Sequence, residues 1–268
     1  MSSSVDILLP TFDPNPAFLR RAIQSVVDQT HENWSLCVVQ DGGDRPLAEI
    51  IGEPRDPRVH LLSIRHQGKA AALNHALKQG DAKYVAYLDD DDIWYPNHLQ
   101  VAISAMCEGH VRFVHTDAYE VFLRKAGDVY REASRNVLNR GVLSDLLLWY
   151  VSHINTVHER SLIEEAGPYD EKRQVFIDWD MLLRMARFSR PHHVPVVTCE
   201  HYIYLDDDDR KDNTISRVHS ADPAYSRRMH DEMFARAFNL LSLKDLIGAL
   251  SHPRFRVLLM KHWLRRGA

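Results

Sequence analysis

Apolar positions along the first hundred residues switch between two spacings. Val5-Asp6-Ile7-Leu8-Leu9 is a short, largely apolar run closed by Pro10, the pattern of a buried strand. Asn15-Pro16 then reads as a helix start, with the asparagine capping and the proline in the first helical position. Phe18, Leu19, Ala22, Ile23 and Val26 follow at helical spacing. Leu36 to Val39 predicts a second buried strand, stopped at Asp41-Gly42-Gly43, and Val59 to Ile64 a third. Gly68 to Gly80 reads as a helix with Ala71, Leu73, Ala76 and Leu77 facing inward. Tyr84 to Leu88 predicts a fourth strand, which runs directly into Asp89-Asp90-Asp91-Asp92.

Strands alternating with helices imply an α/β fold with parallel pairing and right-handed crossovers. In such sheets ligands bind beyond the carboxyl ends of the strands. Three polar segments fall at those ends and are expected to share one crevice: Thr11-Phe12-Asp13, Asp41 to Asp44, and Asp89 to Asp92. Past residue 110 the pattern loosens. Phe113 to His115 and His193 to Cys199 suggest strands, and Leu143 to Tyr150 and Asp178 to Phe188 suggest helices. Residues 205–217 read as a charged loop, and the chain from Ala221 reads as helices. The expected division is a catalytic domain over 1–220, with halves at 1–110 and 111–220, and a helical extension over 221–268.

At 268 residues the chain is long enough for one large α/β domain. A net charge of -4 argues against wholesale nucleic-acid binding, which goes with a strongly basic balance. Cys37, Cys107 and Cys199 lie far apart with no paired spacing, so they read as reduced thiols of a cytoplasmic protein. The first residues lack the basic and apolar regions of a signal peptide, and no stretch approaches the roughly 18–20 apolar residues that span a bilayer.

The acidic run carries the chemistry. Four adjacent carboxylates repel one another, and a fold keeps them at a strand end where a cation offsets that repulsion. Mg²⁺ and Mn²⁺ take hard oxygen ligands and bridge carboxylates to substrate phosphates. A buried strand before Asp89 and Ile93-Trp94-Tyr95-Pro96 after Asp92 separate this run from a second one, Asp206 to Asp209, which reads as a solvated loop.

These stretches together resemble the donor-binding half of family 2 glycosyltransferases with the GT-A fold, a Rossmann-like, mostly parallel sheet flanked by helices. The likeness is carried by Ile7 to Asp13, Ala22 to Val26 with Gln29-Thr30, Asp41-Gly42-Gly43, Gly68 to Asn74, and Tyr87 to Pro96. Further on, Glu165 to Asp170 and Ile177 to Arg184 resemble the acceptor-side elements. The resemblance covers roughly residues 5–205.

The resemblance implies roles for individual residues. Pro10, Thr11 and Asp13 would line the nucleoside pocket, and Asp41 would accept a hydrogen bond from the base or ribose. Lys69 and Asn74 would flank a helix start near the diphosphate, a favourable place for anions. Asp89 and Asp90 would face the donor, Asp91 would be the principal ligand of Mn²⁺ or Mg²⁺, and Asp92 would support it. Asp178 would be the general base of an inverting transfer to a glycan or lipid-linked hydroxyl. The family has Glu-Asp at this point, whereas this chain has Ile177 before Asp178. Asp180 competes for the role but points elsewhere on a helix. The absence of a Gln-x-x-Arg-Trp motif after Asp178 and of spanning helices suits transfer of one sugar rather than processive synthesis, with a nucleoside-diphosphate sugar, UDP- or dTDP-linked, as donor.

Other features have plainer readings. His153, His158, His192, His193 and His201 form no evident metal-binding pair. Asp117 reads as a strand end near the sugar pocket, and Trp149, Tyr150 and Trp179 suit either sugar stacking or core packing. The tail from Ser251 holds five Lys or Arg residues, no acid, and interleaved Phe255, Leu258, Leu259 and Trp263. It suits a basic helix lying on an anionic membrane, or equally one packed on the domain. Two rival enzyme classes fit less well. A nucleotidyltransferase needs a Gly- and Lys/Arg-rich loop where this chain has Pro10 to Pro14. An aspartate-nucleophile phosphohydrolase needs its acidic pair after the first strand. A binding module without catalysis keeps the same nucleotide pocket.

Overall fold

The computed structural model describes residues 3–127, 129–138, 152–205 and 221–242. β1 (Val5–Thr11), β2 (Trp34–Asp41), β3 (Val59–Ile64) and β4 (Tyr84–Tyr87) pair in parallel in the order β3-β2-β1-β4. Helices α1 (Pro16–Val27), α2 (Leu47–Ile51) and α3 (Lys69–Leu77) make the crossovers. Asn15 caps α1, its side chain accepting from Ala17 N at 2.9 Å and Phe18 N at 3.4 Å. Pro16, with no N–H to satisfy, occupies the first position.

The pleat explains why β1 is apolar from Ile7 to Leu9, while the buried Asp6 beside them is satisfied by Arg160 and Ala82 N. Val5, Ile7 and Leu9 pack on one face with Leu19, Ala22 and Val26 of α1. Leu8 packs on the other with Ala72, Leu73 and Ala76 of α3. A parallel sheet covered on both faces needs apolar residues at every position.

The second half departs from the parallel expectation. After β4 come β5 (Ile93–Trp94), α4 (His98–Gly109), and a long hairpin of β6 (Phe113–Ala126) and β7 (Val129–Leu138). β8 (Thr156–Glu159) lies antiparallel between β4 and β6. β9 (His192–Tyr204) runs parallel to β6 and antiparallel to β5. Helix α5 (Arg160–Ala166) follows β8, and α6 (Ile177–Met185) precedes β9. Among the described residues no helix is long and apolar enough to cross a membrane.

Helix α7 (Pro223–Phe238) opens the expected extension and packs on α6. Met233, Phe234 and Ala237 are buried in the core cluster that holds Trp179, Met181 and Leu182. Trp179 is 2% exposed, which leaves its ring to core packing. Asp180 is 3% exposed and ties the two helices together. It accepts from Arg236 of α7 at 2.7 Å and Arg184 at 2.9 Å, with Arg173 at 3.7 Å. Removing one partner of such a buried cluster leaves charge uncompensated. Asp180→Ala should therefore destabilise the fold by about 3 kcal/mol in a denaturant titration.

The expected helix over 143–150 with Trp149 and Tyr150, the second acidic run at 206–209 and the basic tail lie outside the described residues. Cys37 and Cys199 are buried, Cys107 is exposed, and all three are free thiols.

Candidate active site

The carboxyl ends of β1, β2 and β4 bring the three expected segments to one side of the sheet. β1 hydrogen-bonds to both β2 and β4, in register from Val5 onward. The Thr11 hydroxyl donates to Asp90 Oδ2, which fastens the end of β1 to the acidic turn. Pro10 is half-buried on the same strand end, and Asp13 lies exposed beyond it with φ 45°. Phe12, 38% exposed, packs its ring against His66 from the segment after β3, with centroids 4.6 Å apart. An aromatic face left open at this crevice suits stacking by a planar base. A single aromatic in a loop carries no periodic signal, so its place here shows only in the fold.

Asp41 organises the loop into α3. Its carboxylate accepts from Gln67 N and Gly68 N, both at 2.7 Å, and lies 3.0 Å from His66 Nδ1. The chain leaves β2 through Gly42, whose φ is +86°. A Cβ there would stand 2.7 Å from His66 Cβ. Gly42→Ala combines left-handed strain with that collision, and should cost about 1–3 kcal/mol of unfolding free energy.

Lys69, the first residue of α3, reaches across the crevice. Its Nζ lies 2.8 Å from Asp89 Oδ1 and 3.1 Å from Asp178 Oδ2. Burial works against its charge, but Asp178 and Asp89 outweigh it and raise the ammonium's pKa well above the usual lysine value. Asp178, in the first turn of α6, keeps 30% of its side chain exposed. Burial opposes its ionisation too, yet Lys69, and after it His153, hold its carboxyl below the usual range. His153, in a 3₁₀ turn (His153–Asn155) before β8, places Nδ1 3.3 Å from Asp178 Oδ1. It was not among the expected site residues.

Asp178 and Asp180 thus have different employment. Two positions on a helix differ by about 200°, so one faces the crevice while the other turns into the core. The same geometry moves Asn74 away from the expected diphosphate site. It lies five residues after Lys69, about 140° round the helix. Its amide donates to Tyr169 O at 3.0 Å and Glu171 Oε1 at 2.8 Å, and accepts from Tyr169 N at 2.9 Å. Asn74 therefore staples α3 to the segment before α6.

The acidic run is likewise divided. Asp89, Asp90 and Asp91 are half-buried at the crevice. A turn, closed by Asp92 N donating to Asp89 O at 3.3 Å, sends Asp92 inward. Asp92 is 0% exposed and accepts from Tyr202 N of β9 at 2.8 Å. Its placement thus differs from the expected supporting ligand, since its neighbours face the crevice and it does not. Burial, with the charges of Asp91 and Asp89, pushes its carboxyl well above the usual range. Its Oδ2 is enclosed without a hydrogen-bond partner. Arg21 of α1 steadies the turn by donating to Asp91 O at 2.7 Å. Asp117 sits within β6, 5% exposed, where it pairs with His193 at 2.7 Å.

The model of glycosyl transferase family 2 matches residues 6–166, more than half of the chain. The chain belongs to glycosyl transferase family 2. An Escherichia coli relative, the UDP-Glc:alpha-D-GlcNAc-diphosphoundecaprenol beta-1,3-glucosyltransferase WfgD, is 34% identical over 44% of this chain and 46% of its own length. The succinoglycan biosynthesis protein ExoW of Rhizobium meliloti is 34% identical over 39% of this chain and 34% of its own. The chain thus spans less than half the length of these curated relatives. An uncharacterized Bacillus subtilis glycosyltransferase, YwdF, matches more evenly, 27% identical over 98% of this chain and 91% of its own. Among solved structures, Staphylococcus aureus TarS with UDP-GlcNAc superposes with a TM-score of 0.62 at 14% identity, covering 88% of this chain and 72% of TarS. The Pyrobaculum calidifontis mannosyltransferase PcManGT, in complex with GDP-Man and Mn²⁺, gives 0.56 at 14% identity, covering 98% of this chain and 80% of its own. These superpositions establish the GT-A fold. The family match spans β1 to α5, while the base candidate on α6 lies just beyond it.

Proposed function

We propose that this family 2 domain moves a single sugar, with inversion, from a nucleoside-diphosphate sugar to a hydroxyl of a glycan or lipid-linked acceptor in surface polysaccharide synthesis. One observation carries the reading: Lys69 links Asp178, a partly exposed carboxylate, to Asp89 of the acidic turn, at 3.1 and 2.8 Å. In this reading Asp178 is a base beside a donor-facing acidic site, and the shared lysine supports their standing in one crevice. The donor of WfgD, UDP-glucose, and the ligands of the TarS and PcManGT complexes, UDP-GlcNAc and GDP-mannose, support a nucleotide-sugar donor.

The crevice fits a divalent cation shared with a diphosphate. Hard carboxylate oxygens of Asp89, Asp90 and Asp91 stand half-buried at the crevice. Among the described residues no three acidic, His or Cys side chains form a ready-made cage. That suits Mg²⁺ or Mn²⁺, which is commonly held by one or two carboxylates plus substrate phosphates. Asp91 is the principal ligand in this reading, with Asp89 and Asp90 beside it. The cation, when bound, supplies positive charge against the charge growing on the leaving diphosphate.

The chain's own residues do the rest. Phe12 and His66 flank the base, and Thr11 fixes Asp90 toward the donor. Asp178 takes the proton of the acceptor hydroxyl as its oxygen bonds to the anomeric carbon. The bond from that carbon to the diphosphate oxygen breaks on the opposite face, and its electron pair leaves with the nucleoside diphosphate. Lys69 stands where it can pair with that anion. The basic residues from Ser251 onward suit contact with an anionic membrane carrying a lipid-linked acceptor.

The test is release of nucleoside diphosphate from UDP-glucose, UDP-GlcNAc, dTDP-glucose and GDP-mannose, with Mn²⁺ and with EDTA. The reading expects release from one donor class that stops with EDTA. No release from any donor by protein that still binds a nucleotide would favour a binding module instead.

A further inference from the structure

His153 is 1% exposed, yet its imidazole faces a charged group of the crevice. Nδ1 lies 3.3 Å from Asp178 Oδ1. Neither atom has a hydrogen-bond partner among the described residues, and the pair itself falls short of hydrogen-bond geometry. The separation is slightly long for a hydrogen bond, as such contacts often are before substrate tightens the site. The ring is gripped on its face and its far edge. It stacks on Tyr87 with centroids 4.1 Å apart and planes 13° from parallel, and Nε2 meets the Tyr169 hydroxyl at 3.4 Å. Tyr87 is fixed in turn by His158 Nε2 at 2.8 Å, whose Nδ1 donates to Glu159 O at 2.8 Å.

The chemistry of these partners assigns the proton. An ionised carboxylate only accepts, whereas a tyrosine hydroxyl can donate. A neutral imidazole between them therefore carries its single hydrogen on Nδ1 and offers Nε2 to Tyr169. Burial, opposed by Asp178 and reinforced by Lys69, favours that neutral form.

We propose that His153 is a positioning residue for Asp178, its Nδ1–H holding Oδ1 while Lys69 holds Oδ2, so that the carboxylate plane is fixed toward the acceptor hydroxyl. This rests on the reading of Asp178 as the base. The two grips come from independent elements, the turn before β8 and the start of α3, and together they remove the carboxylate's freedom about χ2. The other titratable groups around the pair are His201 from β9, Asp89 across Lys69, and Tyr87 and Tyr169 behind the imidazole. Of the titratable groups among the described residues, His153 and Lys69 are the two paired with the Asp178 oxygens.

Three substitutions separate positioning from packing. His153→Asn keeps an amide N–H near the Nδ1 position, His153→Gln moves it to the Nε2 position, and His153→Leu removes it. Nucleoside-diphosphate release is measured on the sugar nucleotide, from the four named above, that the native protein hydrolyses. In addition, the Asp178 carboxylate is titrated by ¹³C resonance in substrate-free protein, assigned by its loss in Asp178→Asn. The expected result is a fall in kcat on the order of 100-fold for His153→Leu and His153→Gln, with KM unchanged and near-native kcat for His153→Asn. The Asp178 titration should move to higher pH in the Leu and Gln variants and stay in place in the Asn variant. Should His153→Leu not fold, the Asn and Gln pair carries the comparison. Equal behaviour of Asn and Gln in kcat and titration would overturn the proposal. If Asp178→Asn abolishes release while His153→Leu turns over normally, only His153's role is lost. If Asp178→Asn turns over normally, the base assignment itself falls.

Discussion

Asp178→Asn should lower kcat for sugar transfer by about 10²–10⁴-fold, the usual contribution of a positioned general base, and leave nucleotide affinity unchanged. The substitution is nearly isosteric. Asp178 is partly exposed, and among the described residues its two oxygens pair with Lys69 and His153, so the fold should survive. The amide can still accept from one of them but takes no proton from a hydroxyl. The measurement is steady-state kcat and KM beside a calorimetric nucleotide titration. Asp180→Asn is the internal control. Asp180 is enclosed by Arg184, Arg236 and Arg173, so its loss should appear in stability and not selectively in kcat.

Asp91→Ala should abolish the cation-dependent part of nucleotide binding, a loss of at least about tenfold, or about 1.4 kcal/mol. The backbone argues that this is a local change. Arg21 holds the Asp91 carbonyl at 2.7 Å and Asp92 anchors the far side of the turn to Tyr202 N at 2.8 Å, neither through the Asp91 side chain. The turn should therefore keep its course when the carboxylate goes. Affinity measured in EDTA should be the same for variant and native protein, and affinity in Mn²⁺ should differ. Equal affinity in Mn²⁺ would move the ligand role to Asp89 or Asp90.

The parallel half of the sheet was legible because burial on both faces forces apolar runs, as in Ile7–Leu9 and Leu36–Val39, and because α1 announces its start with Asn15-Pro16. The β6–β7 hairpin was not. β7 reads Val-Tyr-Arg-Glu-Ala-Ser-Arg-Asn-Val-Leu, with one partner strand and largely exposed side chains, so little hydrophobic alternation marks it. The antiparallel insertion of β8 between β4 and β6 is a long-range pairing that no local pattern encodes.

The same division holds at the site. The crevice carboxylates were readable as candidates because they adjoin strand ends, and Asp178 because Ile177 to Arg184 resembles the family's acceptor side. Side-chain direction was less so. Asn74 shares a helix with Lys69 but points to Tyr169, and Asp92 follows three crevice carboxylates but turns beneath β9. His153 lies far from Asp178 in sequence, and only the fold brings them to 3.3 Å. Phe12 was visible as a residue and gains meaning from its packing on His66.

The central claim is that this crevice binds a nucleoside diphosphate through a divalent cation. Calorimetric titration of UDP, dTDP, GDP and CMP, each with Mn²⁺ and with EDTA, tests it most directly. The account predicts tight binding of one diphosphate in Mn²⁺, lost in EDTA, with CMP weak under both conditions. Folded protein that binds none of the four, or binds one equally well in EDTA, would contradict it.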